Sequence, residues 1–387
     1  MRVGLVSPYS YTYPGGVGRH IEALASELLA QGHDVRLLAP FDPPDRRARV
    51  LHRGAEPERL PRPDYLVPMG RTVGLPFNGA VSNLALGPGA ARALSRELRH
   101  GGYDLIHVHE PNAPLVAWQA VETARTPVVG TFHTYSTNAL LGGLTANVLG
   151  ARRMYRKLST RIAVSEAARW TAERFYGGRY RVIPNGVDLS AARPTLRDGS
   201  GRLELLFVGR AEERKGLPVL LRAFEALRGA GVEARLTVAG ATREEVEPLL
   251  LDRDGLRVLG RVSEASKWTL LGQADLLCAP SLGGESFGMV LTEAFASGTP
   301  VVTSDIAGYR DVVREGHDGL LVTPGEPMEL GEALRALAMQ PERRLRMAAA
   351  ARESADRFAW PRVAAEVAET YERALEQPRP ERRRAVA

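Results

Sequence analysis

The sequence predicts an α/β protein made of two Rossmann-like, doubly wound parallel-sheet domains. Short β-branched apolar runs alternate with helix-like segments along nearly the whole chain. The alternation forms two series, and a polar stretch rich in Pro and Gly, ARPTLRDGSGR (192–202), separates them. Apolar runs of this kind are typical of parallel strands that helices cover on both faces. A chain of 387 residues is also long for one hydrophobic core and suits two domains.

The first series starts with RVGLV and continues with DVRLLAP, DLIHVHE, PVVGTFH, TRIAVSE and YRVIPNG; the second starts with LELLFVGR and continues with ARLTVAG, LRVLGRV, ADLLCAP, PVVTSDI and GLLVTP. Ligands of open α/β sheets bind outside the carboxyl ends of the strands, so two such sheets facing each other would form a binding cleft. The predicted organisation is an N-terminal domain (1–190), a linker (191–202), a C-terminal domain (203–358), a helix that returns toward the N-terminal domain (359–376) and a disordered basic tail (377–387).

Composition excludes several classes of protein. Charged residues make up 25% and apolar residues 44% of the chain, as in globular proteins. No signal-peptide pattern and no spanning apolar window are present, so we expect a cytoplasmic protein, at most peripheral at the inner face of the cell membrane. The lone Cys278 allows no disulfide within the chain. The net charge is +6, but no zinc-finger spacing or aromatic-studded basic strand points to nucleic acid.

Lysine is rare in this chain. Of 51 basic residues, only Lys157, Lys215 and Lys267 are lysines. A compact, pivoting ammonium differs from the planar guanidinium of arginine. A lysine retained in so arginine-rich a sequence therefore marks a position where that geometry is useful, and we take Lys215 and Lys267 as candidate functional residues.

Two turns that connect a predicted strand to a predicted helix have features of phosphate sites. In PGGVGRH, Gly15 and Gly16 allow the backbone at a helix start to approach an anion; a plain turn is the alternative. In VGRAEERKG, Arg210, Arg214 and Lys215 crowd a helix N-terminus, where cations oppose the helix dipole unless an anion joins them. The two intervening glutamates offer the alternative of a solvated charge cluster.

The stretch LGGESFGMVLTEAFASG combines a Gly-Gly turn at a helix start with two carboxylates, Glu285 and Glu293. The turn suits a phosphate, but Glu285 in its mouth would repel one. We expect Glu293 about two turns inside the helix, too far from Glu285 for paired acid/base chemistry. Two separated carboxylates suit two sets of hydroxyls, as on a sugar and a nucleotide. The alternatives are helix-dipole complementarity for Glu285 and an exposed helix face for Glu293.

His133, in GTFHTYS, stands at the carboxyl end of a predicted strand. Most isolated histidines are structural, and that remains the alternative to a role in a site. His107 and His109 lie on a neighbouring strand and could be imagined with His133 as zinc ligands. No carboxylate or fourth ligand is obviously placed, so no metal site is predicted.

Taken in order, these motifs resemble the retaining glycosyltransferases of family 4, which have the GT-B fold, and most closely those members that mannosylate phosphatidylinositol. The resemblance covers nearly the whole chain, and the ordered set is far more specific than any single motif. The matching segments are the GGV turn, HVHEPNAP (107–114), FHT (132–134), IAVSE, IPNGVD (183–188), GR…KG (209–216) and GGESFGMVLTE.

The resemblance implies a role for each candidate residue. Four carry catalysis: Arg210 and Lys215 bind the diphosphate of a nucleotide-sugar donor, Glu285 takes hydroxyls of the transferred sugar, and His133 touches that sugar near its 6-hydroxyl and the reacting centre. Gly16 gives its backbone amide to the donor β-phosphate. The other implied donor contacts are the cradle amides of Ser286, Phe287, Gly288 and Met289, the ribose contact of Glu293, and the guanine contacts of Val262, Glu264 and Lys267.

The acceptor side matches the family only in part. Tyr9 and Asn78 match its acceptor-binding positions, whereas Asn83, Ala80 and Asn138 replace a basic residue, a serine and a lysine. The helix ARALSRELRH (91–100) carries three arginines and could lie on an anionic membrane surface.

These resemblances imply transfer of mannose from GDP-mannose to a phosphatidylinositol-type lipid, with no cofactor and no divalent metal required. Guanine offers two adjacent donors that a carboxylate such as Glu264 can accept, whereas uracil offers one; a solvent-facing Glu264 is the alternative. Other functions stay open: a family 4 enzyme with a UDP-sugar or with a different lipid, glycan or small-molecule acceptor, a nucleotide-sugar 2-epimerase, and a sugar-binding protein.

Overall fold

The computed structural model describes residues 1–13, 15–77, 80–138, 150–193, 195 and 201–376. The chain divides into two compact units, one formed by Met1–Gly186 with the chain from Trp360 on, the other by Val187–Ala359. The predicted tail (377–387) lies outside the described residues, as do residues 194 and 196–200 of the predicted linker.

The first unit contains a parallel sheet with helices between successive strands. Its strands are β1 (Arg2–Val6), β2 (Asp34–Ala39), β3 (Leu66–Pro68), β4 (Val73–Phe77), β5 (Ala80–Leu84), β6 (Leu105–His109), β7 (Val128–Phe132), β8 (Thr160–Ala163) and β9 (Arg181–Val182). Its helices up to the unit boundary are α1 (Gly16–Ala30), α2 (Arg46–Leu51), α3 (Pro88–His100), α4 (Val116–Thr123), α5 (Ala151–Tyr155) and α6 (Glu166–Tyr176). Among the described residues, seven strands form the sheet in the order β3-β2-β1-β6-β7-β8-β9.

The second unit repeats this design. Its strands are β10 (Leu203–Val208), β11 (Ala234–Ala239), β12 (Leu256–Gly260), β13 (Leu276–Ala279), β14 (Val301–Ser304) and β15 (Gly319–Val322). Its helices are α7 (Leu217–Gly229), α8 (Arg243–Val246), α9 (Glu264–Gln273), α10 (Met289–Ala296), α11 (Ala307–Arg310), α12 (Pro327–Ala338) and α13 (Pro341–Ala355). In the part of the chain that the structure describes, the strand order is β12-β11-β10-β13-β14-β15, with all pairs parallel.

The prediction of two doubly wound parallel sheets is confirmed. In each sheet the order of the strands reverses once, between β1 and β6 in the first unit and between β10 and β13 in the second. Open α/β sheets bind ligands beyond the carboxyl ends of the strands at such a reversal. The two places to look for a site are therefore the loops after β1 and β6 and the loops after β10 and β13.

One element is missing from the sequence prediction. β4 and β5 form an antiparallel hairpin that stands outside both large sheets. Its strands contain Gly74 and Pro76 and have no long apolar run, so the search for buried parallel strands passed over them. An isolated bridge between Tyr9 and Leu84 attaches the hairpin to the loop after β1.

The last helix, α14 (Trp360–Glu376), packs within the first unit. Its buried face includes Val363 and Val367 and belongs to the same apolar cluster as Ile21 of α1. Tyr371 of this helix shares a hydrogen bond of 2.8 Å with Nδ1 of His107, which is fully buried in β6. The chain thus returns to complete the core of the first unit.

We expect Tyr371→Phe to lower the free energy of unfolding of this unit by about 1–3 kcal/mol, because the buried His107 nitrogen would lose its partner. Urea denaturation followed by circular dichroism measures the change. Tyr13→Phe is the matched control, since the Tyr13 hydroxyl donates to the Ala55 carbonyl oxygen at an exposed position. Equal losses in the two variants would contradict the role assigned to the buried bond.

Candidate active site

The loops after β10 and β13 meet where the strand order of the second sheet reverses. After β10 the chain makes one 3₁₀ turn, Glu213–Lys215, and α7 begins behind Gly216. Gly216 has a φ of +68°, and a Cβ atom there would lie 1.8 Å from the carbonyl oxygen of Pro280 in the other loop. The Leu282 N–H donates to the Arg214 carbonyl oxygen at 2.8 Å. The loops thus touch through backbone atoms, a close approach that requires glycine.

Glu285 lies at the centre of a group of charges in these loops. Its Oε1 accepts a hydrogen bond from Arg214 Nη1 at 2.5 Å and lies 2.6 Å from Lys215 Nζ. Arg214 and Arg210 also pair with Glu212, at 2.7 and 3.2 Å. The Glu285 side chain is 14% exposed and that of Arg210 is 65% exposed. The structure therefore brings the predicted residues Arg210, Lys215 and Glu285 to one edge of the sheet, with Arg210 outermost.

The turn between β13 and α10 depends on glycine. Gly284 and Gly288 have φ angles of +74° and +82°, in the left-handed region that favours this residue. α10 begins at Met289 with no side-chain cap, and the first N–H groups of a helix can bind an anion. Phe287 is buried in the core and offers a ligand only its backbone. The predicted cradle, Ser286 to Met289, is thus a run of backbone amides at a helix start.

A second charged group surrounds Lys267. Its Nζ lies 2.8 Å from Glu293 Oε1 and 2.8 Å from Glu264 Oε2. Lys267 and Glu293 are largely buried, whereas the Glu264 side chain is half exposed. Burial acts to lower the pKa of Lys267, but the two carboxylates outweigh it and the pKa is raised. Val262, partly buried, lies in the loop just before α9.

The position of Glu293 corrects one expectation. α10 begins at Met289, so Glu293 lies little more than one turn inside the helix and not two. The Gly-rich turn takes up the residues between Glu285 and the helix start. The two carboxylates nevertheless belong to separate groups of charges, as predicted, because Glu285 contacts Lys215 and Glu293 contacts Lys267.

In the first unit, two predicted residues lie beyond the carboxyl end of β1. Gly16 is the first residue of α1, and its N-cap, Gly15, provides no side-chain cap. Tyr9 is partly buried and forms the bridge to Leu84. Asn78, the other predicted acceptor residue, lies outside the described residues.

His133 follows β7 directly and belongs to a buried group of four imidazoles. Its Nε2 shares a hydrogen bond of 3.0 Å with Nδ1 of His109, the last residue of β6. The rings of His20 and His133 are 5.0 Å apart, and those of His107 and His109 are 4.2 Å apart. Burial lowers the pKa of His20 and of His107 to about 3, and it lowers the pKa of His109 and of His133 well below the usual value. All four rings are therefore neutral at neutral pH.

Ring nitrogens of His20, His109 and His133 lie within 4.8 Å of one another. This trio differs from the one considered in the sequence, because His107 instead shares hydrogen bonds with Tyr371 and Thr131. No carboxylate belongs to the trio. That the protein requires no divalent metal stays a prediction.

The sequence arguments placed Arg214 among the cations of its loop but gave it no role at Glu285, to which it is the nearest cation. They missed two further residues of these sites. His20, four residues after Gly16, faces His133. Glu110 follows β6 directly, is 1% exposed and has a φ of +49°; burial raises its pKa to about 7. A carboxylate directly after a buried strand was the available signal for Glu110.

Comparison with known proteins identifies the family to which the chain belongs. Residues 14–191 match the family described as Glycosyltransferase Family 4, and residues 191–354 match Glycosyl transferases group 1. The phosphatidyl-myo-inositol mannosyltransferase of Mycobacterium leprae is 39% identical over 382 residues, which cover 96% of each chain. The chain is a family 4 glycosyltransferase. The enzyme of the same name from Mycolicibacterium smegmatis is 38% identical and covers 96% of this glycosyltransferase and 94% of its own length.

A solved structure agrees on the fold. Sucrose-phosphate synthase from Thermosynechococcus elongatus has a TM-score of 0.77 to this glycosyltransferase at 20% sequence identity, and the match covers 96% of this chain and 98% of that one. The prediction of a GT-B protein with two Rossmann-like domains is thereby confirmed.

The buried imidazoles predict that acid destabilises the first unit of the glycosyltransferase. Each has a pKa of about 6.5 when unfolded and a much lower one when folded, so the unfolded chain binds more protons below that pH. Stability is present above about pH 6.5 and falls below it, by about 1.4 kcal/mol per pH unit for each fully buried ring. The raised pKa of Glu110 has the opposite effect, because it increases stability as the pH falls from about 7 to 4.5. The effect of this one carboxyl group is smaller than the combined effect of the four imidazoles.

We therefore expect the urea midpoint to fall between pH 7.5 and pH 5. His20→Phe removes one titrating ring. It should therefore reduce the pH dependence of the unfolding free energy by about 1.4 kcal/mol per pH unit. The exposed His100 supplies the control, as His100→Gln. A pH dependence that is the same in wild type and His20→Phe would rule out the contribution assigned to His20.

Proposed function

We propose that the protein transfers mannose from GDP-mannose to a phosphatidylinositol-type lipid with retention of anomeric configuration. The observation that carries the donor half is the group formed by Arg214, Lys215 and Glu285 beside the uncapped start of α10. Cations and backbone amides together suit a diphosphate. A carboxylate between them suits the hydroxyls of a sugar attached to that diphosphate.

The contacts of Glu285 support a two-part role for Lys215. In the structure the ammonium of Lys215 forms an ion pair with the Glu285 carboxylate. A donor diphosphate would compete for Lys215 and Arg214 and so free Glu285 to accept hydrogen bonds from sugar hydroxyls. The same cations then stabilise the negative charge that develops on the departing diphosphate.

The chemical step we propose is a front-face displacement. The bond between the anomeric carbon and the diphosphate oxygen breaks, and the acceptor hydroxyl oxygen bonds to the same face of the sugar. The hydroxyl proton passes to the departing diphosphate oxygen. His133 would contact the sugar as a neutral imidazole, since burial keeps its pKa low.

The group around Lys267 supports binding of the nucleoside. Glu293, held by Lys267, would accept hydrogen bonds from the ribose hydroxyls. Glu264 is half exposed and lies at the start of α9, where its carboxylate can accept from the two adjacent donors of guanine. Val262, in the preceding loop, would pack against the base.

The acceptor half rests on the relatives and on the surface of the first unit. Relatives at 38–39% identity are named as phosphatidyl-myo-inositol mannosyltransferases. Arg92, Arg96 and Arg99 are exposed on one side of α3, while Glu97 accepts a hydrogen bond from Tyr103. We propose that this arginine face lies on anionic lipid. No described helix is long and apolar enough to cross a membrane.

A different acceptor is the main alternative. Asn83 and Asn138 stand at positions where the resembled mannosyltransferases have cations, which weakens the attraction to a lipid phosphate. A relative named D-inositol 3-phosphate glycosyltransferase, from Xylanimonas cellulosilytica, is 31% identical over 94% of this chain. A UDP-sugar donor and a nucleotide-sugar 2-epimerase activity remain further alternatives.

A donor-by-acceptor assay tests the proposal. Radiolabelled GDP-mannose, UDP-glucose and UDP-N-acetylglucosamine are each incubated with phosphatidylinositol vesicles, phosphatidylglycerol vesicles, inositol phosphate and short glycans. Transfer of label from GDP-mannose to phosphatidylinositol supports the proposal. Transfer only from another donor or only to another acceptor would contradict it and would identify the true substrates. An arm without acceptor detects an epimerase, which would interconvert the nucleotide sugar alone.

We expect Lys215→Ala to lower kcat by about 100- to 1000-fold, because an interaction with the departing charge is lost. Steady-state kinetics measure the effect. Lys157→Ala is the matched control, since Lys157 pairs with Glu122 in the first unit. Turnover of Lys215→Ala within a few-fold of wild type would refute the diphosphate role.

We expect Glu264→Gln to weaken GDP binding by about tenfold and UDP binding by much less, since a carboxylate accepts both guanine donors and an amide oxygen accepts them more weakly. Calorimetric titration of both nucleotides measures the ratio. Glu247→Gln serves as the control, since Glu247 precedes β12 and pairs with Arg253. Equal losses for GDP and UDP would remove the argument for guanine.

A further inference from the structure

Glu110 is a buried carboxylate to which no role has been assigned. It stands directly after β6, beside the place where the strand order of the first sheet reverses. Its φ of +49° is uncommon for a residue with a side chain. Such a conformation costs free energy and persists only where the surroundings over-determine it. The contacts of the carboxylate show what holds it there.

The Glu110 carboxylate binds the end of the neighbouring strand. Its Oε1 accepts the backbone N–H of His133 at 2.6 Å and the hydroxyl of Thr134 at 3.1 Å. The Glu110 N–H donates to the Thr131 carbonyl oxygen at 2.8 Å. Backbone and side chain of one residue therefore fix both sides of Phe132, the last residue of β7, and set the direction in which the chain leaves the sheet.

Glu110 also closes its own loop. The Ala113 N–H donates to the Glu110 carbonyl oxygen at 2.9 Å. Both the start and the end of the short loop HEPNAP are thus tied to one residue, which explains why the strained backbone is retained.

We propose that Glu110 is a positioning residue for glycosyl transfer: its carboxylate oxygen holds the His133–Thr134 backbone so that the His133 imidazole is set relative to the reacting sugar. The inference rests on the proposed function, in which His133 contacts that sugar. The hydrogen bond of the His133 ring to His109 fixes the ring, and Glu110 fixes the backbone that carries it. Two independent attachments leave the imidazole little freedom, as a site requires when small displacements cost much of the rate.

Two substitutions separate the side chain from the strained backbone. Glu110→Gln keeps an acceptor oxygen at the same distance from the backbone, so its kcat should stay within about threefold of wild type. Asparagine tolerates a positive φ, but its side chain is too short to reach the His133 N–H. Glu110→Asn should therefore lose about 100-fold in kcat. Because GDP is proposed to bind the second unit, its calorimetric Kd should stay within about twofold in both variants. Asp104→Asn is the control: Asp104 accepts the Arg2 N–H at the opposite, amino end of β6, and its loss should leave kcat unchanged.

Three outcomes of the kinetic and binding measurements would overturn the proposal. The first is a Glu110→Asn enzyme with wild-type kcat, and the second is a loss of GDP affinity parallel to the loss of kcat, which would indicate general damage. The third is equal loss in Glu110→Gln and Glu110→Asn, which would place the effect in the charge and not in the accepted hydrogen bonds.

Amide hydrogen exchange separates this inference from the proposed function. The His133 N–H should exchange at least tenfold faster in Glu110→Asn than in wild type and Glu110→Gln; unchanged exchange would overturn the positioning. If wild type transfers no sugar in the donor-by-acceptor assay, the proposed function fails, and the exchange rates still decide whether Glu110 holds this backbone.

Discussion

The parallel direction of the strands is the constraint on which the rest of the molecule depends. A parallel pair needs a crossover, here mostly helical, so the carboxyl ends of all strands and the starts of the following helices share one edge of each sheet. Most side chains within the strands are buried and apolar, although β6 contains the buried His107 and His109. The charged and strained residues of the proposed sites, Lys215, Glu285 and Glu110, all lie beyond that edge.

At the edge of the second sheet, charge must be balanced locally. The side chains of Glu285 and Glu293 are only 14% and 15% exposed, and a shielded carboxylate needs a partner. Each has a lysine at 2.6 to 2.8 Å. Ion pairs that remain partly in water contribute little to stability. In the proposed function, these pairs hold cations and carboxylates in place until phosphate and hydroxyl groups of the donor replace them as partners.

Most of the fold and about half of the candidate site could be predicted from local sequence patterns. Apolar runs and Gly turns follow from short-range patterns, so the strands, the turn at Gly284 and the cation-rich loop at Lys215 were predicted. The contact of Arg214 with Glu285 spans 71 residues and depends on how two loops meet, which no local pattern contains. The β4–β5 hairpin was not predicted, because its strands lack the long apolar runs that are typical of buried parallel strands. The role of Glu110 depends on its positive φ and on the neighbouring strand, and neither is visible in HEPNAP alone.

The two sheets differ in the kind of polarity at their carboxyl ends. In the first unit, burial keeps four imidazoles neutral and raises the pKa of Glu110 to about 7, so this edge offers hydrogen bonds with little charge. In the second unit, Arg214 and Lys215 form ion pairs with Glu285, and Arg210 forms one with Glu212. Uncharged hydrogen-bonding groups suit the hydroxyls of a sugar or an acceptor, and concentrated charge suits a diphosphate. In the proposed function, the buried groups after the strands of the first sheet would therefore contact the sugar, and the more exposed ion pairs of the second unit would bind the diphosphate.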